Sequence, residues 1–255
     1  LEKMKAPGGN SIISDGGIAA AGTALQRRLG IEDSPELMYR DMLRAGMGLN
    51  HPELVRVVAE RSAEVVDWSM DYLGVEYLDR LDQFGGHSVA RCFTAKDVTG
   101  ATIIRRQLEK LRTLGIELRS QSCLHRLLTD GSGRVWGVQV RDGFVYGDPE
   151  EGHDATLRAR QAVVLATGGF GADIAFRSVQ DPRLTQDVDT TNKLSATSEA
   201  LVAALRIGAM PVHLSHIQLG PWASPDEKGY GVGPRFADYV VFQYGLVVSP
   251  VTSER

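Results

Sequence analysis

An α/β fold built on a central parallel sheet is what this sequence predicts, and three observations carry the prediction. The chain opens on Leu1-Glu2-Lys3, a Gly8-Gly9-Asn10-Ser11 turn and a second glycine pair in Asp15-Gly16-Gly17-Ile18-Ala19-Ala20-Ala21-Gly22. Far downstream a continuous apolar run, Ala162-Val163-Val164-Leu165-Ala166, stops at Thr167-Gly168-Gly169-Phe170. Such a run reads as a buried parallel strand that ends against a ligand or a close backbone. Between the two, helix-start signals alternate with short strand-like segments.

Taken in order, Leu1-Glu2-Lys3 reads as the end of a strand closed by a carboxylate. Asp33-Ser34-Pro35-Glu36 has a capping oxygen, an early proline and an acid in the first turn, and Asn50-His51-Pro52-Glu53 repeats the pattern. The second of these helices should turn Leu54, Val57, Val58, Val65 and Val66 to the core. Thr99-Gly100 opens another amphipathic helix with Ile103, Ile104, Leu108 and Leu111 on its apolar side. Short strands are expected at Ile116–Leu118, Leu124–Leu128 and Val135–Val140, the last two joined by the Asp130-Gly131-Ser132-Gly133 turn. A polar loop over 147–154 and an edge strand over 156–160 precede the apolar run. A helix over 195–207 ends at Gly208. Beyond Pro211 the texture turns to loops, aromatics and glycine, with a strand-like Leu246-Val247-Val248 near the end.

Composition narrows the function classes. With 255 residues, 43% apolar, 24% charged and a net charge of −4, the chain has ordinary globular character and room for one large or two modest domains. Slight acidity without a basic cluster argues against a nucleic-acid partner. No apolar run is long enough to span a bilayer, and no signal peptide is present. Cys92 and Cys123 form neither a C-x-x-C nor a C-x-x-C-H motif, which speaks against a zinc site, a disulfide framework or covalent haem and for buried filler. His213 and His216 stand three apart without a third ligand in register, so no metal is assigned.

The glycine turns point to a dinucleotide. A strand-end carboxylate can accept hydrogen bonds from two ribose hydroxyls, and glycines let backbone N–H groups approach a phosphate or a planar ring. The G-x-G-x-x-G phosphate turn belongs about 20 residues ahead of that acid, so the chain reads as starting after it.

In these segments, in Ser34-Pro35-Glu36-Leu37, Trp68, Gly85-Gly86, the hairpin and Ile217-Gln218 before Pro221, the sequence resembles the fumarate reductase and succinate dehydrogenase flavoprotein superfamily. The similarity is greatest to the flavocytochrome c type and its urocanate reductase branch. The resemblance implies a Rossmann-like FAD-binding domain over residues 1–212 and the start of an α+β capping domain over 213–255, with the chain truncated at both ends. It implies that Glu2 binds the adenosine ribose and that Gly8, Gly9, Asn10, Ser11, Asp15, Gly16 and Gly17 line the pyrophosphate and flavin. The Leu124 backbone would face the adenine, and Thr167, Gly168 and Gly169 complete the cofactor site. In the superfamily pattern T-N-x-x-x-A-x-G-D-G the aspartate touches the cofactor; here Thr191-Asn192 leads to Ser198-Glu199-Ala200, with Glu199 in its place.

On the substrate side, Gly16, Gly220 and Trp222 are the candidates. Flavocytochrome-type fumarate reductases place a histidine before the proline of I-Q-x-x-P, where it grips a substrate carboxylate; here that position is Gly220. The change disfavours fumarate and resembles the urocanate reductase branch, although a lid loop packed by Trp222 explains it equally. His87 is a further candidate for the pocket wall. Asp238 reads either as a proton relay or as an exposed loop acid.

The implied reaction is reduction of a C=C bond conjugated to a carboxylate, with hydride from flavin N5 to the β-carbon. The family's proton-donating arginine would fall beyond Arg255. The implied electron donor is a separate multihaem cytochrome, and the implied compartment is periplasmic. Two alternatives remain: a flavin dehydrogenase of the 3-ketosteroid type, and an inactive flavoprotein fragment.

Overall fold

The computed structural model describes residues 1–148, 150–220, 248 and 251–252. A 3-10 turn over Gly9–Ile13 leads to β1 (Gly17–Ala19), α1 (Ala24–Arg28), α2 (Pro35–Ala45), α3 (Pro52–Asp71), β2 (Cys92–Thr94) and α4 (Gly100–Thr113). Then follow β3 (Ser122–Thr129), β4 (Val135–Asp142), β5 (His153–Arg158), α5 (Ile174–Gln180) and α6 (Glu199–Leu205). The chain divides into two units, Leu1–Asn10 with Glu117–Ala237, and Ser11–Ile116 with Asp238–Arg255.

In the first unit the expected hairpin forms. Asp130 N–H donates to the Arg134 carbonyl at 3.0 Å, and Gly133 takes the left-handed conformation that closes the turn. β4 lies between β3 and β5, antiparallel to both, with Leu124 opposite Val140 and Val140 opposite Ala155. Gly137 is required here, because a methyl group on it would stand 2.5 Å from the Leu157 carbonyl oxygen. Alternation puts Leu127, Val138 and Val140 on one face, where α6 covers them with Ala203. Val140 is fully buried, which stabilises by about 1.5–3 kcal/mol.

The apolar run differs from expectation. Residues 162–170 join no ladder, and Val164 is 85% exposed. A strand of this kind is buried only when neighbours pair both its backbone edges and cover both its faces. Among the described residues both sheets are antiparallel, so the expected central parallel sheet is not found there. Leu1-Glu2-Lys3 is likewise no ladder strand. Glu2 N–H donates to the Arg119 carbonyl at 2.8 Å and its carbonyl accepts from Ser122 N–H at 2.9 Å, two bonds that tie it beside β3. Ile116–Leu118 also forms no strand, and α6 begins four residues later than expected.

In the second unit β1 pairs antiparallel with β2, Ile18 opposite Phe93. Ser34 Oγ accepts from Leu37 N–H at 3.1 Å and caps α2, as its sequence predicts. α3 forms where expected, but of the five residues expected in the core only Val66 is buried. Its buried side is Val55, Ala59, Ser62, Val66 and Ser69, whereas Leu54 is 66% exposed and Val57, Val58 and Val65 are exposed too. Small residues explain the phase: Ala59 packs with Ala21 and Met38, and Ser62 Oγ accepts from Ala21 N–H at 3.1 Å. The bulkier aliphatic stripe could not approach the backbone of residue 21 so closely. A buried ion network, invisible in the sequence, anchors the unit. Arg91 donates to Asp33 Oδ1 at 2.8 Å and to Asp41 Oδ2 at 2.9 Å. Asp41 Oδ2 also accepts from Ser88 N–H and Oγ at 2.9 and 2.7 Å.

Candidate functional site

Within the first unit the two glycine turns are linked through asparagines. Asn10 Nδ2 donates to Asn192 Oδ1 at 2.6 Å, and Asn10 Oδ1 accepts from Lys193 N–H at 2.8 Å. Asn192 fills the space where a side chain at Gly171 would lie, its Nδ2 standing 2.4 Å from that point. The Gly8–Asn10 turn, the Thr191–Lys193 loop and the chain just after Gly168-Gly169 therefore meet.

Two elements missed in the sequence hold that meeting point. Asp173 caps α5 by accepting from Phe176 N–H at 2.9 Å, and its other oxygen accepts from Ser198 N–H at 3.2 Å and Ser198 Oγ at 2.6 Å. Burial opposes ionisation of Asp173, yet the Ser198 and Phe176 hydrogen bonds and nearby Lys3 hold its carboxyl below the usual range. Arg177, buried, donates to the carbonyls of Gly171, Leu184, Thr185 and Val188. The cap pattern Asp173-Ile174-Ala175-Phe176 was legible; the arginine's inward course was not.

Glu2 Oε1 accepts from Met4 N–H at 2.7 Å, and Oε2 has no hydrogen bond among the described residues. Lys3, its neighbour, donates to both carboxylate oxygens of Glu199 at 3.2 Å. Cys123 lies near this pair; burial, and then Glu199, push its thiol up to about 11, with Lys3 opposing. Leu124 packs against the β3–β4 core, opposite Val140. Thr167, Gly168, Gly169 and Gly220 are exposed.

These features fit a dinucleotide. Gly8, Gly9 and Gly168 have positive φ, and a methyl group placed on Gly9, Gly168 or Gly169 would meet nothing within 4 Å. The turns thus bare their backbone toward open space, which suits a phosphate or a flat ring. Glu2 Oε2 keeps acceptor capacity for hydroxyls.

In the second unit Ser11, Ser14 and Gly16 pack against the start of α4, and Asp15 and Gly17 lie beside them in sequence. The Ser11 carbonyl would lie 2.0 Å from a methyl group on Gly100, and Gly100 N–H donates to the Ser14 carbonyl at 2.8 Å. Gly16, at φ +75°, abuts Ala95 Cβ and the Thr99 carbonyl, each 2.9 Å from the point a Cβ would take. Gly17 N–H donates to Asp15 Oδ1 at 3.3 Å. His87 packs beside Arg91, with Nδ1 at 3.3 Å from Nη1. Trp222 and Asp238 lie outside the described residues. Among the described residues no group of three His, Cys, Asp or Glu side chains is placed to hold a metal, and no helix is long and apolar enough to cross a membrane.

A family model described as "FAD binding domain" matches residues 1–235. The chain is 41% identical over its whole length to the acrylate reductase flavoprotein subunit of Shewanella woodyi, of which it covers 50%. It is 32% identical over 87% of its length to the urocanate reductase of Eggerthella lenta, covering 36% of that protein. A flavocytochrome c3 fumarate reductase in its open conformation superposes with a TM-score of 0.80 at 30% identity, over 89% of this chain and 39% of that one. The chain thus spans half or less of the length of these relatives.

Proposed function

Because the chain belongs to the FAD binding domain family, we propose that it forms the flavin-binding part of a reductase that saturates the C=C bond of an unsaturated carboxylate. The observation that carries this reading is the whole-length similarity to an acrylate reductase flavoprotein subunit. Other similar proteins are named urocanate and fumarate reductases. Likeness to a 3-ketosteroid dehydrogenase at 23% identity speaks for the fold alone.

Bound FAD supplies a hydride to the β-carbon of such a substrate. The chain's own residues hold the cofactor: Glu2 receives the ribose hydroxyls, the Gly8–Ser11 and Asp15–Gly17 turns take the pyrophosphate and flavin, and Thr167–Gly169 and Glu199 complete the site. Leu124 offers its backbone to the adenine. Gly16, Gly220 and Trp222 belong to the substrate side. Gly220, without a side chain to grip a second carboxylate, favours a monocarboxylate of the acrylate or urocanate class over fumarate. Residues 1–212 form the FAD-binding domain, and 213–255 begin the capping domain. Electrons come from a separate donor, a multihaem cytochrome, in a periplasmic setting.

The test is made on the whole protein that carries this sequence: its visible spectrum, followed by oxidation of a reduced viologen with acrylate, urocanate, fumarate and a steroid enone. A flavin band with turnover of the first two is expected. A colourless protein, or turnover of the steroid alone, overturns the reading.

A further inference from the structure

The ribose glutamate is followed by a lysine whose side chain is only 14% exposed. Its ammonium group donates to Oε1 and Oε2 of Glu199 at 3.2 Å and to Thr197 Oγ1, while the Thr197 hydroxyl donates to Glu199 Oε2. Three side chains therefore close a ring that fastens the start of α6 to the first residues of the chain. Lys3 follows one acid, Glu2, in sequence and pairs with another, Glu199. The Glu2 carboxylate is engaged on one oxygen by Met4 N–H and has no ion pair among the described residues. Lys3 thus cancels the acid that ribose recognition does not need and leaves charged the one it does.

Charge explains why this matters. A dinucleotide brings a doubly negative pyrophosphate, and a second uncompensated carboxylate nearby would repel it. Length matters as well. An aspartate at position 199 would draw the carboxylate back by about 1.5 Å, one C–C bond, and out of direct reach of Nζ.

We propose that Lys3 is a positioning residue of the flavin site, holding Glu199 in place and cancelling its charge, so that glutamate serves where the superfamily pattern has aspartate. This rests on the FAD reading above. No touch between Lys3 and the cofactor is required; the lysine acts through Glu199.

The test compares Lys3→Met, Lys3→Arg, Glu199→Gln and Lys3→Met/Glu199→Gln in the flavin-loaded protein, reading FAD dissociation constant and flavin midpoint potential. An exposed carboxylate without its partner weakens FAD binding about tenfold in Lys3→Met. Lys3→Arg keeps the affinity, and the double substitution restores it to within about twofold of Glu199→Gln. The potential falls in Lys3→Met, because added negative charge opposes reduction, and rises in Glu199→Gln; a lysine with a merely structural role would move neither. Should Lys3→Met not fold, Lys3→Gln, which also removes the charge, takes its place with the same expected fall in affinity and potential. A double substitution as weak as Lys3→Met, or unchanged potentials, overturns the proposal. A wild-type protein that takes up no FAD overturns the flavin reading itself, a result distinct from a flavoprotein indifferent to Lys3.

Discussion

Asn10 and Asn192 are joined amide to amide at 2.6 Å, and the remaining oxygen of Asn10 takes the next backbone N–H, that of Lys193, at 2.8 Å. One side chain thus satisfies a donor and an acceptor on a loop 182 residues away in sequence. Replacing it by alanine removes both bonds, at a net cost of about 1–3 kcal/mol. Asn10→Asp is the sharper probe. It keeps the acceptor toward Lys193 but sets an oxygen against Asn192 Oδ1, so the thermal midpoint falls and FAD titration weakens further than the lost bond alone explains. Wild-type values in both variants would mean that the glycine turns do not depend on this bridge.

Two glycines with nearly the same backbone angle separate structure from ligand space. Gly16 (φ +75°) is hemmed in by Ala95 and Thr99, whereas Gly168 (φ +73°) faces open space. Gly16→Ala therefore adds overpacking to left-handed strain and destabilises by about 2–4 kcal/mol in denaturant unfolding. Gly168→Ala meets only the strain, about 1–2 kcal/mol, and folds. Its methyl group enters the space assigned to the cofactor, so FAD affinity falls much more than stability does. Unchanged FAD affinity in Gly168→Ala would remove that turn from the site.

Local signals were legible and long-range ones were not. Ser34-Pro35, Thr99-Gly100 and Asp130-Gly131-Ser132-Gly133 act on their own neighbours, so the helix starts and the hairpin appear where the sequence puts them. The glycine turns and Glu2 were legible as a motif, because phosphate and ribose recognition needs those residue types in that order. The buried face of α3 was misjudged, since Ala59 and Ser62 become core residues only through what Ala21 allows across the unit. Val163-Val164-Leu165 was read as a buried strand on hydrophobicity alone, but burial depends on partners that no run of residues encodes by itself. Nothing in the residues around Arg91 and Arg177 signals their burial, which follows from the carboxylates and carbonyls that receive them.

The Arg91 network sets an acid limit on stability. Burial opposes charge on Asp41, but Ser88 N–H, Ser88 Oγ and the Arg91 guanidinium hold its carboxyl below the usual carboxylate range. With the folded value depressed, this stabilisation is fully present above the unfolded value of about 4 and is lost as pH falls through the lower folded value. His87 behaves alike one window higher. Burial, then Arg91, lower its pKa, so its contribution is complete above about 6.5 and fades as pH falls below that. Thermal midpoints should therefore drop in two stages on acidification. His87→Gln should flatten the first stage and Asp41→Asn the second, at some cost in stability. Arg91→Met leaves buried Asp33 without its cation and Asp41 with Arg44 alone, and costs about 3–5 kcal/mol at neutral pH. A midpoint independent of pH between 7 and 3 would contradict this account.

Arg177 is a buried cation answered by carbonyls instead of a carboxylate. Its Nη1 reaches the Gly171 carbonyl at 2.9 Å, Nε the Leu184 carbonyl at 3.1 Å, and Nη2 the Thr185 carbonyl at 2.7 Å and that of Val188. A planar fork with five donors can serve four diverging acceptors; a lysine, with one compact head, cannot. Arg177→Lys should therefore behave as a disruptive change, losing about 2–3 kcal/mol, and Arg177→Met about 3–5 kcal/mol as the carbonyls are left without donors. Because Gly171 follows directly on the Gly168–Phe170 turn, the loss should also reach the cofactor as faster FAD release, read by stopped-flow fluorescence. Stability and release need not move together. If Arg177→Met loses stability while FAD leaves at the wild-type rate, the turn is held by Asn192 and by the Ala172 N–H to Ala196 carbonyl bond at 2.9 Å, and Arg177 serves only the 184–188 loop.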